Sequence, residues 1–157
     1  MKLTTRGRYA VAAMTDLASV GTPIGEGDPV ALCDIALRQG ISLSYLEQLF
    51  AKLRRAGLVA SARGANGGYA LTAAPGEVRI ADIVAAVDEP IQATACVPGG
   101  SIGCTGTSAR CMTHDLWDEL GRQIELFLNA VTLEDILAKR VAGMASVNAP
   151  SSAGAQQ

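Results

Sequence analysis

The sequence predicts a mostly α-helical fold carrying one small β-hairpin, followed by a long helix that stands apart from it. Three observations predict it. Apolar residues recur at helical spacing in three successive segments before residue 57. Two short extended segments then flank Gly64-Ala-Asn-Gly-Gly68, a strong hairpin turn signal. A single long apolar stripe returns only after residue 112, beyond an interval rich in Gly, Ser, Thr and Cys.

Taken in order, Thr4 or Thr5 can cap a first helix whose apolar positions are Ala10, Val11, Met14, Leu17 and Ala18. Residues 21–29 (GTPIGEGDP) read as a loop. In the second helix Leu32, Ile35 and Ala36 share one face, and Gly40 ends it. Cys33, on or beside that face, reads as a small buried hydrophobe rather than a ligand, because it stands far in sequence from the other thiols. The third helix follows at once. Its Leu46, Leu49, Phe50 and Leu53 must face a core, while Ser44, Tyr45, Gln48, Lys52 and Arg55 lie opposite. Ser44 and Glu47 have capping-box spacing, with Ser42 as the alternative cap.

Two helices joined by a tight glycine-containing turn match a helix-turn-helix when the second presents hydrogen-bonding side chains at its exposed N-terminal end. The hairpin decides between this and an ordinary amphipathic helix. Leu58–Arg63 and Tyr69–Thr72 follow immediately, which is the winged helix-turn-helix order. Arg63, at the hairpin tip, is placed to reach a phosphate or a narrow minor groove. The glycine cluster is not a phosphate loop, since it lacks the G-x-x-x-x-G-K spacing and opens no helix. Ala73–Gly76 is a turn, and Ile80, Ile83, Val84 and Val87 make a short helix that closes the core. It ends near Asp88 and Glu89, which have no nucleophile or base beside them and read as a solvated helix end.

Residues 96–114 hold three of the four cysteines and the single histidine: Cys96, Cys104, Cys111 and His114. The filler is Gly, Ser, Thr and Pro, which wraps backbone around something small but builds no core. Structural zinc sites bring their ligands in tight C-x2-4-C pairs. Spacings of x7, x6 and x2 fit a loop circling a larger inorganic body. Thiolates with one imidazole suit an iron–sulfur cluster, zinc, or a bare thiol redox switch, and spacing alone leaves all three open. Beyond the loop, Thr113 can cap a long helix with Leu116, Leu120, Ile124, Phe127 and Leu128 as its stripe and Trp117 beside it. Thr132-x-x-Asp135 opens another helix carrying Leu133, Ile136 and Leu137. A long striped helix outside a finished small domain calls for a partner chain. A two-fold homodimer would set two recognition helices about 34–36 Å apart. The expected organisation is therefore a DNA-binding domain over 1–89, a metal-, cluster- or redox-type loop over 90–112 (a cluster-binding loop in the iron–sulfur reading), dimerisation helices over 113–142 and a disordered tail over 143–157.

Composition agrees. With 157 residues, 49% of them hydrophobic, the chain can bury one good core. The net charge of −2 hides an asymmetry. Residues 1–63 carry eight Lys/Arg against five Asp/Glu, and residues 64–157 five against ten. A basic first half fits a nucleic-acid module. No apolar run reaches the roughly 18 residues that span a bilayer, and no secretory signal opens the chain. The expected location is the cytoplasm, where clustered thiols stay reduced and serve as ligands.

Several motifs carry a resemblance. Met1-Lys-Leu-Thr-Thr-Arg-Gly-Arg-Tyr-Ala-Val11, Gln39-Gly-Ile-Ser-Leu-Ser-Tyr-Leu-Glu-Gln-Leu-Phe50, Arg63-Gly-x-x-Gly-Gly-Tyr69 and Thr113-His-Asp-Leu-Trp117 resemble the IscR-type iron–sulfur cluster regulators. These are dimeric winged-helix transcription factors, and the resemblance covers roughly residues 1–140. It implies a 2Fe–2S cluster held by Cys96, Cys104, Cys111 and His114. It also implies DNA contacts by Ser42, Ser44, Tyr45, Gln48 and Arg63, with Glu47 disfavouring one class of site when the cluster is absent. The implied function is a non-enzymatic regulator, mainly a repressor, of cluster assembly genes. Its partners would be a double-stranded operator, a second copy, and the assembly machinery as cluster donor. Two alternatives stand beside it: a nitric oxide- or iron-responsive repressor of the same family, and an iron–sulfur electron carrier or thiol oxidoreductase. Arg8 where some branches carry an acidic ligand, together with His114, favours the IscR branch. The winged half and the lack of a C-x-x-C motif weigh against the carrier.

Overall fold

The computed structural model describes residues 5–21, 28–64, 66–87 and 112–142. Helices α1 (Thr5–Val20), α2 (Leu32–Gln39) and α3 (Leu43–Arg55) precede strands β1 (Val59–Ala62) and β2 (Gly68–Leu71). A short 3-10 turn (Pro75–Glu77), α4 (Ile80–Ala86), α5 (His114–Ala130) and α6 (Leu133–Leu137) complete the order. The expected winged helix-turn-helix is present, with a long helix after it.

One core unites these elements. Ala10, Ala13, Met14 and Leu17 of α1 are wholly buried against Ile35 of α2, Leu46, Phe50 and Leu53 of α3, and Ile83 and Val84 of α4. Each set repeats at three or four residues, so each helix turns one apolar stripe inward. Gly40 ends α2 in the left-handed conformation (φ 63°), which glycine adopts without steric cost. Ile41 then plugs into the core, and the chain is free to start α3 at once. That early start decides between the two candidate caps. Ser42, not Ser44, is the N-cap, its Oγ accepting from the Tyr45 N–H at 3.3 Å. Cys33 is corrected: it is exposed, its thiol 3.8 Å from Asp34 Oδ1. Ile35 takes the inward position, and two residues back is the opposite side of a helix of about 3.6 residues per turn.

The wing is antiparallel, with Val59 opposite Leu71 and Ala62 opposite Gly68. Its outer strand is held again by Val30, which exchanges two 2.8 Å backbone hydrogen bonds with Tyr69. A Cβ on Gly68 would overlap the Val30 carbonyl, so this close approach requires glycine there. Tyr69 meets Phe50 edge-on at 4.9 Å, and Arg54 Nη1 donates to Ser61 Oγ at 3.3 Å. The wing is thereby fixed relative to α3.

The chain returns to this core at its far end. Ile80 N–H donates to Val131 O and Leu133 N–H to Val78 O, both at 3.0 Å, around an antiparallel bridge between Arg79 and Thr132. Val131 and Leu133 are buried in the same cluster as Met14 and Phe50. The predicted capping box holds α6: Thr132 Oγ1 accepts from Asp135 N–H, and the Asp135 carboxylate accepts from Thr132 N–H. No described helix is long and apolar enough to cross a membrane. The tail predicted to be disordered lies outside the described residues.

Candidate nucleic-acid interface and cluster ligands

The first two turns of α3 gather five of the six residues singled out for DNA. Ser42, Ser44, Glu47 and Gln48 are exposed, and Tyr45 is half-buried. The geometry follows from the packing beneath. Leu46, Leu49, Phe50 and Leu53 occupy the inward positions, which leaves the outward ones to polar side chains. Capping uses one acceptor lone pair of Ser42 and leaves its hydroxyl able to donate. Tyr45 is steadied from behind by Tyr9 of α1, with ring centroids 6.0 Å apart and planes at 80°. Lys52, Arg54 and Arg55 fill the last turn of α3, where cations complement the helix dipole. Arg63, the sixth residue, is exposed directly after β1. The fold thus presents amide, hydroxyl and guanidinium donors from α3 and the wing on elements braced against one another. Such groups read base edges and phosphates.

The described residues contain no group of three or more possible metal ligands. Cys96, Cys104 and Cys111 lie outside them. His114 is half-buried and is the first residue of α5, next to the N-cap position of Thr113. As donors, three thiolates and one imidazole fit an iron–sulfur cluster by their softness and charge.

Helix α5 has no fully buried residue. Phe127 and Leu128, near its C-terminal end, pack on the core, and Arg79 Nη1 donates to the Asn129 carbonyl at 2.7 Å. Leu116 (61% exposed), Trp117 (44%) and Leu126 (60%) face solvent. The helix is anchored near its C-terminal end and carries uncovered apolar surface at Leu116 and Trp117 near its start and at Leu126 beside the anchor.

Sequence reasoning missed one polar cluster. Asp16, in the middle of α1, is the only buried charged side chain among the described residues. Arg38 Nη2 donates to Oδ1 at 2.6 Å, and Arg38 Nε to Oδ1 and Oδ2 at 3.0 and 3.2 Å. Gln39 Nε2 donates to Oδ2 at 2.6 Å. Burial pushes the carboxyl pKa up. The hydrogen bonds from Arg38 and Gln39 and the charge of Arg38 outweigh that and hold it below its ordinary value. The available signal was an acid set among the apolar residues of α1. Its partners, more than twenty positions away, left no trace in local spacing.

Comparison with known proteins places this arrangement. Residues 3–139 match the Rrf2 family, described as "Iron-dependent Transcriptional regulator". The chain is 52% identical over 137 residues to the "HTH-type transcriptional regulator IscR" of Vibrio atlanticus, covering 87% of this chain and 75% of the relative. It is 53% identical over 137 residues to the protein of the same name in Aliivibrio salmonicida, covering 87% and 77%. Among solved structures, it is similar to IscR of T. potens, with a TM-score of 0.69 and 37% identity over 100% of this chain and 94% of that one. It is also similar to CymR, described as the global cysteine regulator of B. subtilis, with a TM-score of 0.71 and 34% identity over 88% and 98%.

Proposed function

Because the chain belongs to the Rrf2 family of transcriptional regulators, we propose that it is a homodimeric repressor of iron–sulfur cluster assembly genes, responsive to a 2Fe–2S cluster. The observation that carries the DNA-reading part is the exposed polar first half of α3 over a fully apolar inner face, braced to the wing through Phe50–Tyr69 and Arg54–Ser61. In this reading Ser42, Ser44, Tyr45 and Gln48 meet base edges or phosphates in the major groove. Glu47 discriminates between sites by repelling phosphate or by accepting from a base. Arg63 reaches the minor groove or its phosphates.

Residues 1–89 read DNA, 90–112 hold the cluster and 113–142 dimerise, with 143–157 as a tail. Cys96, Cys104, Cys111 and His114 would hold the 2Fe–2S group, which supplies one-electron redox chemistry and a change of charge when bound. The thiols must lose their protons to ligate, so loading depends on pH. His114 belongs both to the ligand set and to α5, so ordering of the loop bears directly on the dimer helix. That is the physical basis for coupling cluster status to the spacing of two recognition helices. Cluster transfer from the assembly machinery in the cytoplasm would set occupancy. The names of the relatives support the reading: the curated relatives and one solved neighbour carry the IscR name.

The test is anaerobic purification, a visible spectrum, and titration of a palindromic duplex with the protein intact and stripped. An iron–sulfur absorption and a difference in affinity between the two states are expected. A colourless, zinc-loaded protein would refute the cluster, and equal affinity on every duplex would refute sensing. Replacing His114 with Ala should loosen the cluster yet leave DNA binding. Replacing Arg63 with Ala should weaken binding and lower its salt dependence by about one unit if the contact is to phosphate.

A further inference from the structure

Helix α2 is short and poorly anchored by apolar contact. Of its eight residues only Ile35 is buried, with Leu32 and Ala36 packed beside it. A helix fixed mainly at one side chain can rock about that point. The second anchor is polar and sits at the other end. Arg38 and Gln39 are its last two residues, and both donate to the Asp16 carboxylate of α1. The base of this clamp is rigid, because Ala13, Met14 and Leu17 around Asp16 are wholly buried. Arg38 supplies a planar fork and Gln39 an amide, so both carboxylate oxygens are engaged and tilt is restrained in more than one direction.

The clamp stands at the hinge of the reading unit. Gly40 turns the chain with φ 63°, Ile41 enters the core, and Ser42 caps α3. Only two residues, Gly40 and Ile41, separate Gln39 from the first residue assigned to DNA, Ser42. A displacement at the carboxylate is passed to the N-terminal turn of α3 with little backbone to absorb it. An ion pair of this kind adds little net stability over an apolar pair of the same shape, and its directional bonds make it better suited to fixing geometry.

We propose that Asp16 is a positioning residue for DNA recognition: through Arg38 and Gln39 it sets how the first turn of α3 enters the groove. The proposal rests on the DNA-reading function argued above. It makes no claim that Asp16 touches DNA.

The experiment compares the full-length chain with the variants Asp16→Asn, Arg38→Gln and the double variant, all well below their melting temperatures. The probes are a duplex selected by the unaltered chain from a randomised pool and a scrambled duplex of equal length. Each single variant should bind the selected duplex about tenfold more weakly, the size of one lost base-pair contact. Affinity for the scrambled duplex should stay within about twofold, because phosphate contacts tolerate tilt better than base contacts. The double variant should lose no more than Asp16→Asn alone, since both act through one clamp. A merely structural role would lower the melting temperature but leave the ratio of the two affinities unchanged in the folded protein, and that result would overturn the proposal. Should Asp16→Asn not fold, Arg38→Gln, whose side chain is 40% exposed, decides alone. Failure of the unaltered chain to prefer any duplex would overturn the regulator reading itself, an outcome distinct from unchanged selectivity in the variants.

Discussion

At Asp16 two opposed effects meet in one side chain, and their balance has a measurable pH signature. Burial raises the carboxyl pKa, and the hydrogen bonds and charge from Arg38 and Gln39 bring it below the ordinary 3.8. The folded chain therefore releases this proton more readily than the unfolded chain does. The stabilisation is complete above the unfolded value and fades as pH falls through the lower folded one. Replacing Asp16 with Asn should lower the melting temperature at neutral pH by an amount equivalent to about 1–3 kcal/mol. The gap between the two proteins should narrow as the pH is taken down to about 3, because acid removes the same charge from the unaltered protein. A gap that stays constant across that range would refute the assignment. At this scale the sequence was readable where chemistry is local, as in Gly40 ending α2 or Thr132 and Asp135 capping α6. It was unreadable for Asp16 and Tyr9, whose partners Arg38 and Tyr45 are brought up only by folding. Cys33 was misread because residue type was weighed ahead of helical phase.

Among the elements, α3 and α5 show opposite relations between pattern and packing. The inward set of α3 was legible from its apolar spacing, and all four residues are buried within the chain. The stripe of α5 was equally legible, yet Leu116 on it and Trp117 beside it remain exposed. A periodic stripe says that a face is to be covered, not by which chain. Placing charges on it should separate the protomers. The double variant Leu116→Glu/Leu120→Glu should sediment as a monomer and bind a palindromic duplex roughly a hundredfold or more weakly, the avidity lost when two linked sites act singly. Its circular dichroism should be unchanged, because neither side chain belongs to the core. A dimer that persists would show that another surface joins the protomers. The pattern also left the cap on α3 open between Ser44 and Ser42, for a related reason. Ile41 enters the core immediately after Gly40, which starts the helix at Leu43 and assigns capping to Ser42.

On the scale of the whole molecule, the core is closed by residues from both ends of the described chain. Val131 and Leu133 complete a cluster otherwise drawn from residues 10–87, held there by backbone pairing to Val78 and Ile80. Burying two such side chains contributes about 3–6 kcal/mol. That is comparable with the lower end of the roughly 5–15 kcal/mol that separates a folded domain from its unfolded state. A chain ended after residue 89 should therefore lose its cooperative thermal transition, while one ended after residue 142 should keep it. A sharp melt in the shorter chain would refute this closure. The sequence showed a capped apolar segment at 132–137 but not its destination, since nothing local specifies which open edge of a distant core it will fill. The same closure bears on synthesis. Chains fold from the N-terminus as they emerge, but this core stays incomplete until Leu133 is available. By then Cys96, Cys104, Cys111 and the whole of α5 have already been made. The polar face of α3 gains its full support only in a chain that already carries α5, so a ribosome-bound fragment that ends before Leu133 is a poor competitor for DNA.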